Sequence, residues 1–227
     1  MSGNEEDISP RKRRLVRERK QRRDNIIKTA EWFFINQGYD QTMVDHIASK
    51  AGYSKATIYN YFVSKDDLFI AVVSKAFEKM SQIMEAAFKS QDVNYELLTL
   101  GNAYLTFVEK YPYYARLFES GRLNLIIGKM ITKEENNQQL TESEIEFRDH
   151  QLKIENLMTS VITETMKNSR VQTDIDPFSV VMVLSTLGSA INELVMRGKR
   201  GQPKDRSREY LAVLFNIIDK GLKHYDD

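Results

Sequence analysis

Between Gly38 and Leu68 the chain sets hydroxyl, amide and cationic side chains at short intervals: Thr42, Ser54, Lys55, Thr57, Tyr59, Asn60, Tyr61 and Lys65. These groups are suited to holding a ligand rather than transforming one. The chain has no cysteine, which removes thiolate metal sites, cysteine nucleophiles and disulfides. It also has no nucleophile elbow, phosphate loop, metal triad or clustered acid–base pair, so an enzyme is not expected, nor a cofactor or metal centre. The residue types fit a DNA duplex. Asn60 can pair with an adenine edge, Ala56 can meet a thymine methyl, and Lys55 and Thr57 can hydrogen-bond base edges. The hydroxyls of Thr42, Tyr59 and Tyr61 can reach phosphate oxygens, which fix register without reading sequence.

Three short helices must position these groups. Over 22–36, Ile26, Ile27, Ala30, Phe33 and Phe34 recur at helical spacing, and Gly38 is suited to ending that helix. Thr42, followed by Asp45, is the expected N-cap of a second helix that stops at Gly52. Ser54 is expected to cap a third helix over 55–62, with Ile58 and Phe62 inward and Lys55, Ala56, Tyr59 and Asn60 outward. Two helices around a tight turn are the ingredients of a helix-turn-helix, whose later helix enters the major groove. Ser64 then opens a long fourth helix with an apolar stripe from Phe69 to Ala87.

The quoted positions closely resemble the N-terminal domain of the TetR family of bacterial regulators. The resemblance rests on Gly38-Tyr39, Thr42, Ile47-Ala48, Ala51-Gly52, the run Ser54–Phe62 and the run Ser64–Leu68, about a fifth of the chain. It implies that Thr42, Ser54, Lys55, Ala56, Tyr59, Asn60, Tyr61 and Lys65 approach DNA. Two positions depart from the family pattern: many members carry an aromatic where Asn60 stands and a histidine where Tyr61 stands. A different base preference follows from that. The resemblance also implies a homodimer formed through the last two helices, and a small-molecule effector held in a cavity of the C-terminal domain.

Charge divides the chain unevenly. Residues 10–23 hold nine basic side chains and one acid, a local +8, whereas the whole chain carries +1. A basic arm over 1–21, read as disordered, thus precedes a reading head over 22–66 and a sensing and dimerising domain over 67–227. Such an arm adds salt-dependent affinity for a polyanion. The remainder reads as all-α, with helices expected at 95–110, 112–120, 141–168, 176–197 and 207–225, and no clear element over 121–140. Among the middle helices Tyr104, Phe107, Tyr111, Tyr114, Phe118, Phe147 and His150 are candidate ligand contacts for an apolar or aromatic effector, though each aromatic could equally be core. Glu146 and His150 share a helix face at a spacing that can hold a metal, but without a third ligand they read as a surface pair. The charged N-terminus is no signal peptide, and no apolar run approaches the roughly 18 residues of a membrane span. A cytoplasmic protein with no membrane partner is expected.

Overall fold

The computed structural model describes residues 9–89, 97–118, 121–167, 176–198 and 207–223, and every regular element among them is an α-helix. The chain divides into two compact units, Met1–Val72 and Val73–Asp227. The all-α expectation, an N-terminal helix-turn-helix followed by a larger helical part, describes both.

The first unit contains α1 (Pro10–Gln41), α2 (Val44–Ala51), α3 (Lys55–Tyr59) and the first turns of α4 (Lys65–Lys89). Residues 10–21 correct the expectation of a disordered arm, because they are the opening turns of α1. The reason is local. Ser9 accepts a hydrogen bond from the Lys12 amide, Pro10 occupies the first turn, and Arg14 pairs with Glu18 one turn on. The run lacks an apolar stripe, so periodicity could not reveal it. Its basic side chains from Arg11 to Arg22 lie exposed, and Arg23 is the first to be buried. The first eight residues lie outside the described ones.

Gly38 breaks α1 at φ 76°, ψ 171°, a conformation glycine reaches without a Cβ penalty. The chain then turns so that Tyr39 stacks on Phe34 (5.9 Å between ring centroids), and both rings meet Phe69 edge-on at 5.2 and 5.1 Å. The Tyr39 hydroxyl donates to Asp66. This aromatic triangle ties the end of α1 to the start of α4. Ser64 and Asp67 cap α4 reciprocally: the Asp67 amide donates to Ser64 Oγ, and the Val63 amide donates to the Asp67 carboxylate.

The second unit holds the rest of α4 with α5 (Leu97–Lys110), α6 (Pro112–Phe118), α7 (Gly121–Glu135), α8 (Glu142–Lys167), α9 (Pro177–Gly198) and α10 (Ser207–Lys223). Helix α7 occupies the stretch the sequence left without an element. It buries Leu123, Ile126 and Met130 at helical spacing, while Leu125 and Ile131 stay exposed. Its C-terminal turn is pinned to α8 by Lys133–Glu144 (2.7 Å) and Arg148–Glu134 (2.8 Å). Thr141 and Glu144 form a capping box, each accepting the other's backbone N–H. Asp176 caps α9 by accepting the Ser179 amide at 3.0 Å, with Pro177 at the first helical position, as the sequence predicts.

Because the aromatic triangle is buried, Phe69→Ala should cost the first unit about 3–5 kcal/mol. Trp32, the chain's one tryptophan, lies in that unit and reports its denaturant unfolding by fluorescence. A loss below about 1 kcal/mol would mean that the triangle does not anchor the unit.

Candidate functional site

The reading surface is built around a turn. Gly52 ends α2 in the left-handed conformation (φ 77°, ψ 29°), and the Tyr53 amide donates back to Ala48 O at 2.9 Å, closing the last helical carbonyls. Two residues later Ser54 caps α3, its Oγ accepting the Thr57 amide at 3.1 Å and lying 2.8 Å from Thr57 Oγ1. Helix α3 is only five residues long. Its inner side is Ile58, 1% exposed, with Phe62 just beyond at 0%. Its outer side presents Lys55, Ala56, Tyr59 and Asn60, all exposed.

Cations and aromatics frame that outer side. Lys55 Nζ meets Asp45 of α2 at 2.9 Å, and this carboxylate raises the lysine's pKa above its ordinary value, first by hydrogen bonding and then by charge attraction. Lys55 therefore stays protonated throughout the neutral range. Tyr61 carries the Arg19 guanidinium 5.0 Å above its ring, and Lys65 Nζ lies 4.2 Å from the Tyr39 ring centre. Lys65 Nζ also reaches Asp40 O at 3.5 Å. Exposed arginines and lysines of the first turns of α1 extend the positive surface of this unit.

Thr42 departs from the sequence expectation. It is 1% exposed, its hydroxyl donates to Gly38 O at 2.6 Å, and Met43 rather than Thr42 is the N-cap of α2. The threonine hydroxyl closes the Gly38 turn instead of facing outward. Helix α3 is also shorter than the expected 55–62, with Asn60 as its C-cap.

The second unit encloses a cavity of about 420 Å³. Its wall is mostly apolar and thioether-rich, including Met80, Met84, Leu100, Ile154, Met158 and the ring of Phe215. Of the seven residues proposed from sequence, only Tyr104 and Phe118 line it. The Tyr104 hydroxyl donates to Gly188 O at 3.1 Å. Phe107 and Phe147 are core rings instead: Phe107 stacks on Phe118 at 5.7 Å, and Phe147 meets Phe77 at 4.9 Å. Tyr111 lies between Phe107 and Tyr114 at 5.8 and 5.9 Å, outside the cavity wall. His150 is half-buried, its Nδ1 has no hydrogen-bond partner among the described residues, and it likewise does not line the cavity.

Comparison with known proteins places the reading head. Residues 26–72 match the family model described as bacterial regulatory proteins, tetR family, and the match ends where the first compact unit ends. Over these residues the chain carries a TetR-family N-terminal domain. Among curated relatives, the "Fatty acid metabolism regulator protein" of Bacillus subtilis is 24% identical over 194 residues, 85% of this chain and 93% of that protein. The "HTH-type transcriptional activator FasR" of Mycolicibacterium smegmatis is 31% identical over 92 residues, so the match spans 40% of this chain and only 42% of that protein's length. The solved structure of FadR from Bacillus subtilis, in complex with stearoyl-CoA, shares the fold with a TM-score of 0.57 at 19% identity, over 88% of this chain and 97% of that one.

In this chain the reading head follows a strong local code, whereas the cavity follows none. Met80, Met84, Met158 and Met182 line the cavity, yet in sequence they are ordinary members of helical apolar stripes. Gln151 and Glu155 also line it, and their signal was readable: two polar residues one turn apart, interleaved with the apolar pair Ile154 and Met158. Among the described residues no group of three or more His, Cys, Asp or Glu is placed to hold a metal, and no helix is long and apolar enough to cross a membrane.

Asp45→Asn should return the Lys55 titration midpoint downward toward an ordinary lysine. Because the native value is raised, the favourable pairing persists below the ordinary lysine pKa and fades only as alkaline pH passes the raised one. An NMR titration of the Lys55 side chain checks this, and an unchanged midpoint in the variant would remove the ion pair from the account.

Proposed function

We propose that the protein is a sequence-specific transcriptional repressor that binds a palindromic DNA operator as a homodimer and is released by a small apolar effector. One observation carries the reading. A short helix is held from behind by Ile58 and Phe62 and presents Lys55, Ala56, Tyr59 and Asn60 outward, the residue types that read base edges and phosphates. Ser54 and Thr57 fix the start of that helix, and Tyr61 and Lys65 offer flanking phosphate contacts. Residues 22–66 form the reading head and 67–227 the sensing and dimerising part.

Two-fold symmetry follows from the brevity of α3, since one short recognition helix touches few base pairs. The last two helices favour self-association: Phe178, Met182 and Val183 on α9, and Val213 and Ile217 on α10, are at least half exposed although apolar. The members at 178 and 182, and those at 213 and 217, stand one turn apart and extend each patch along its helix. The basic opening of α1 adds phosphate contacts whose strength falls as salt rises.

The cavity favours an effector-controlled regulator over a constitutive or architectural one. A space of this size with a mostly apolar wall is typical of small-molecule sites. Its Met- and Leu-rich wall suits an aliphatic chain better than the aromatic effector that the tyrosines and phenylalanines suggested. The structure of FadR from Bacillus subtilis, similar in fold and solved in complex with stearoyl-CoA, points the same way. Effector binding would act through α4, which supplies Phe77, Met80 and Met84 to the cavity and begins at Lys65 in the reading head. The driving free energy is the effector's difference in affinity for the two conformations.

Selection of bound duplexes from a random library, at two salt concentrations, should recover one palindrome. With that operator, Tyr59→Ala and Lys55→Ala should each weaken binding by about tenfold or more while light scattering still shows a dimer. Full retained affinity in both variants would overturn the docking role of α3. Enrichment without a motif, lost at the higher salt, would instead favour a non-specific DNA binder.

A further inference from the structure

We infer that the cavity of the second unit is built for an amphiphile that ends in a protonated amine, rather than in a carboxylate, phosphate or thioester. This inference rests on the effector reading above and names the chemical class of the effector. Among the described residues lining the cavity, one carries a formal charge, Glu155, and none is a lysine, arginine or histidine. The rest of the wall offers apolar surface, the Tyr104 phenol, Ser185, Thr186, Asn124 and Gln151. The phenol hydroxyl is already committed to Gly188 O, and Thr186 donates to Met182 O.

Gln151 and Glu155 define the polar end. They lie one turn apart on α8, and Gln151 Nε2 donates to Glu155 Oε1 at 2.8 Å. A carboxylate only accepts, so this bond fixes which end of the amide faces Glu155. Glu155 is thus held in place at the wall by Gln151, and its charge asks for a group with N–H donors and a positive charge. An ammonium supplies both. A carboxylate would bring lone pairs against Glu155, and a phosphate would find no cation among the described residues of the wall. The remaining apolar wall takes the hydrocarbon portion.

Isothermal titration of the full-length protein with decylamine, decanol and decanoate tests this directly. The three share one chain and differ only in the head group. Decylamine should bind at least about tenfold more tightly than decanoate, with decanol between them, as expected for a charge-assisted hydrogen bond. Glu155→Gln should narrow the preference for amine over alcohol. Decanoate binding as tightly as decylamine, or decanol matching it, overturns the ammonium assignment while leaving the effector cavity intact. Failure of all three to bind overturns the cavity as an effector site and the assignment with it. The ranking on the unaltered protein decides the matter even if a variant fails to fold.

Discussion

A five-residue helix cannot hold itself in place, and the reading head depends on that constraint. Helix α3 is far shorter than the length at which an isolated helix becomes stable in water. Its position is set from outside, by Ile58 and Phe62 buried beneath it, by the left-handed turn at Gly52 before it, and by the Ser54 cap at its start. Arg23 of α1 lies over the Phe62 ring at 5.4 Å, and Asn25 of α1 donates to Ala51 O at the end of α2, so α1 clasps both sides of the turn. The outward residues are thereby presented in a fixed order. Contacts made on a pre-ordered surface cost less conformational entropy than contacts made by a floppy one.

The Lys55–Asp45 pair adds a second level of organisation. Both side chains are more than half exposed, so the pair contributes little to stability. Its effect is on orientation. The neighbouring carboxylate narrows the range of positions that the lysine side chain samples. Arg19 over Tyr61 and Lys65 near Tyr39 repeat the theme, with aromatic faces holding cations beside α3.

The second unit answers to a different requirement. Its aromatic residues are largely spent on packing, with Phe77, Phe107, Phe118 and Phe147 in mutual ring contact. The walls of its cavity fall to methionines and aliphatic residues, which adapt their shape more readily than rings do. The hydrogen-bonded polar pair Gln151–Glu155 on α8 interrupts that wall.

Short-range signals made the reading head legible. Gly38, Gly52, Ser54, Ser64 and the spacing of Ile58 and Phe62 each act through the backbone within a turn or so, and the helices that they imply are present. Asp176-Pro177 fixed the start of α9 in the same way. What depended on partners distant in sequence was not legible. Thr42 has the composition of a helix cap, but packing buried it and turned its hydroxyl to Gly38. Helix α7 was hidden because its stripe alternates buried and exposed apolar residues, and its anchoring ion pairs reach across to α8. Whether Phe107 or Met84 faces the cavity is decided by how α4, α5 and α8 meet, and both residues look alike on a helical stripe. The sequence by itself determined most of the helices and the caps at Ser54, Ser64 and Asp176, because those are set by contacts within a few residues. Only the tertiary structure decided which side chains enclose empty space, because a cavity is bounded by atoms from helices far apart in the chain.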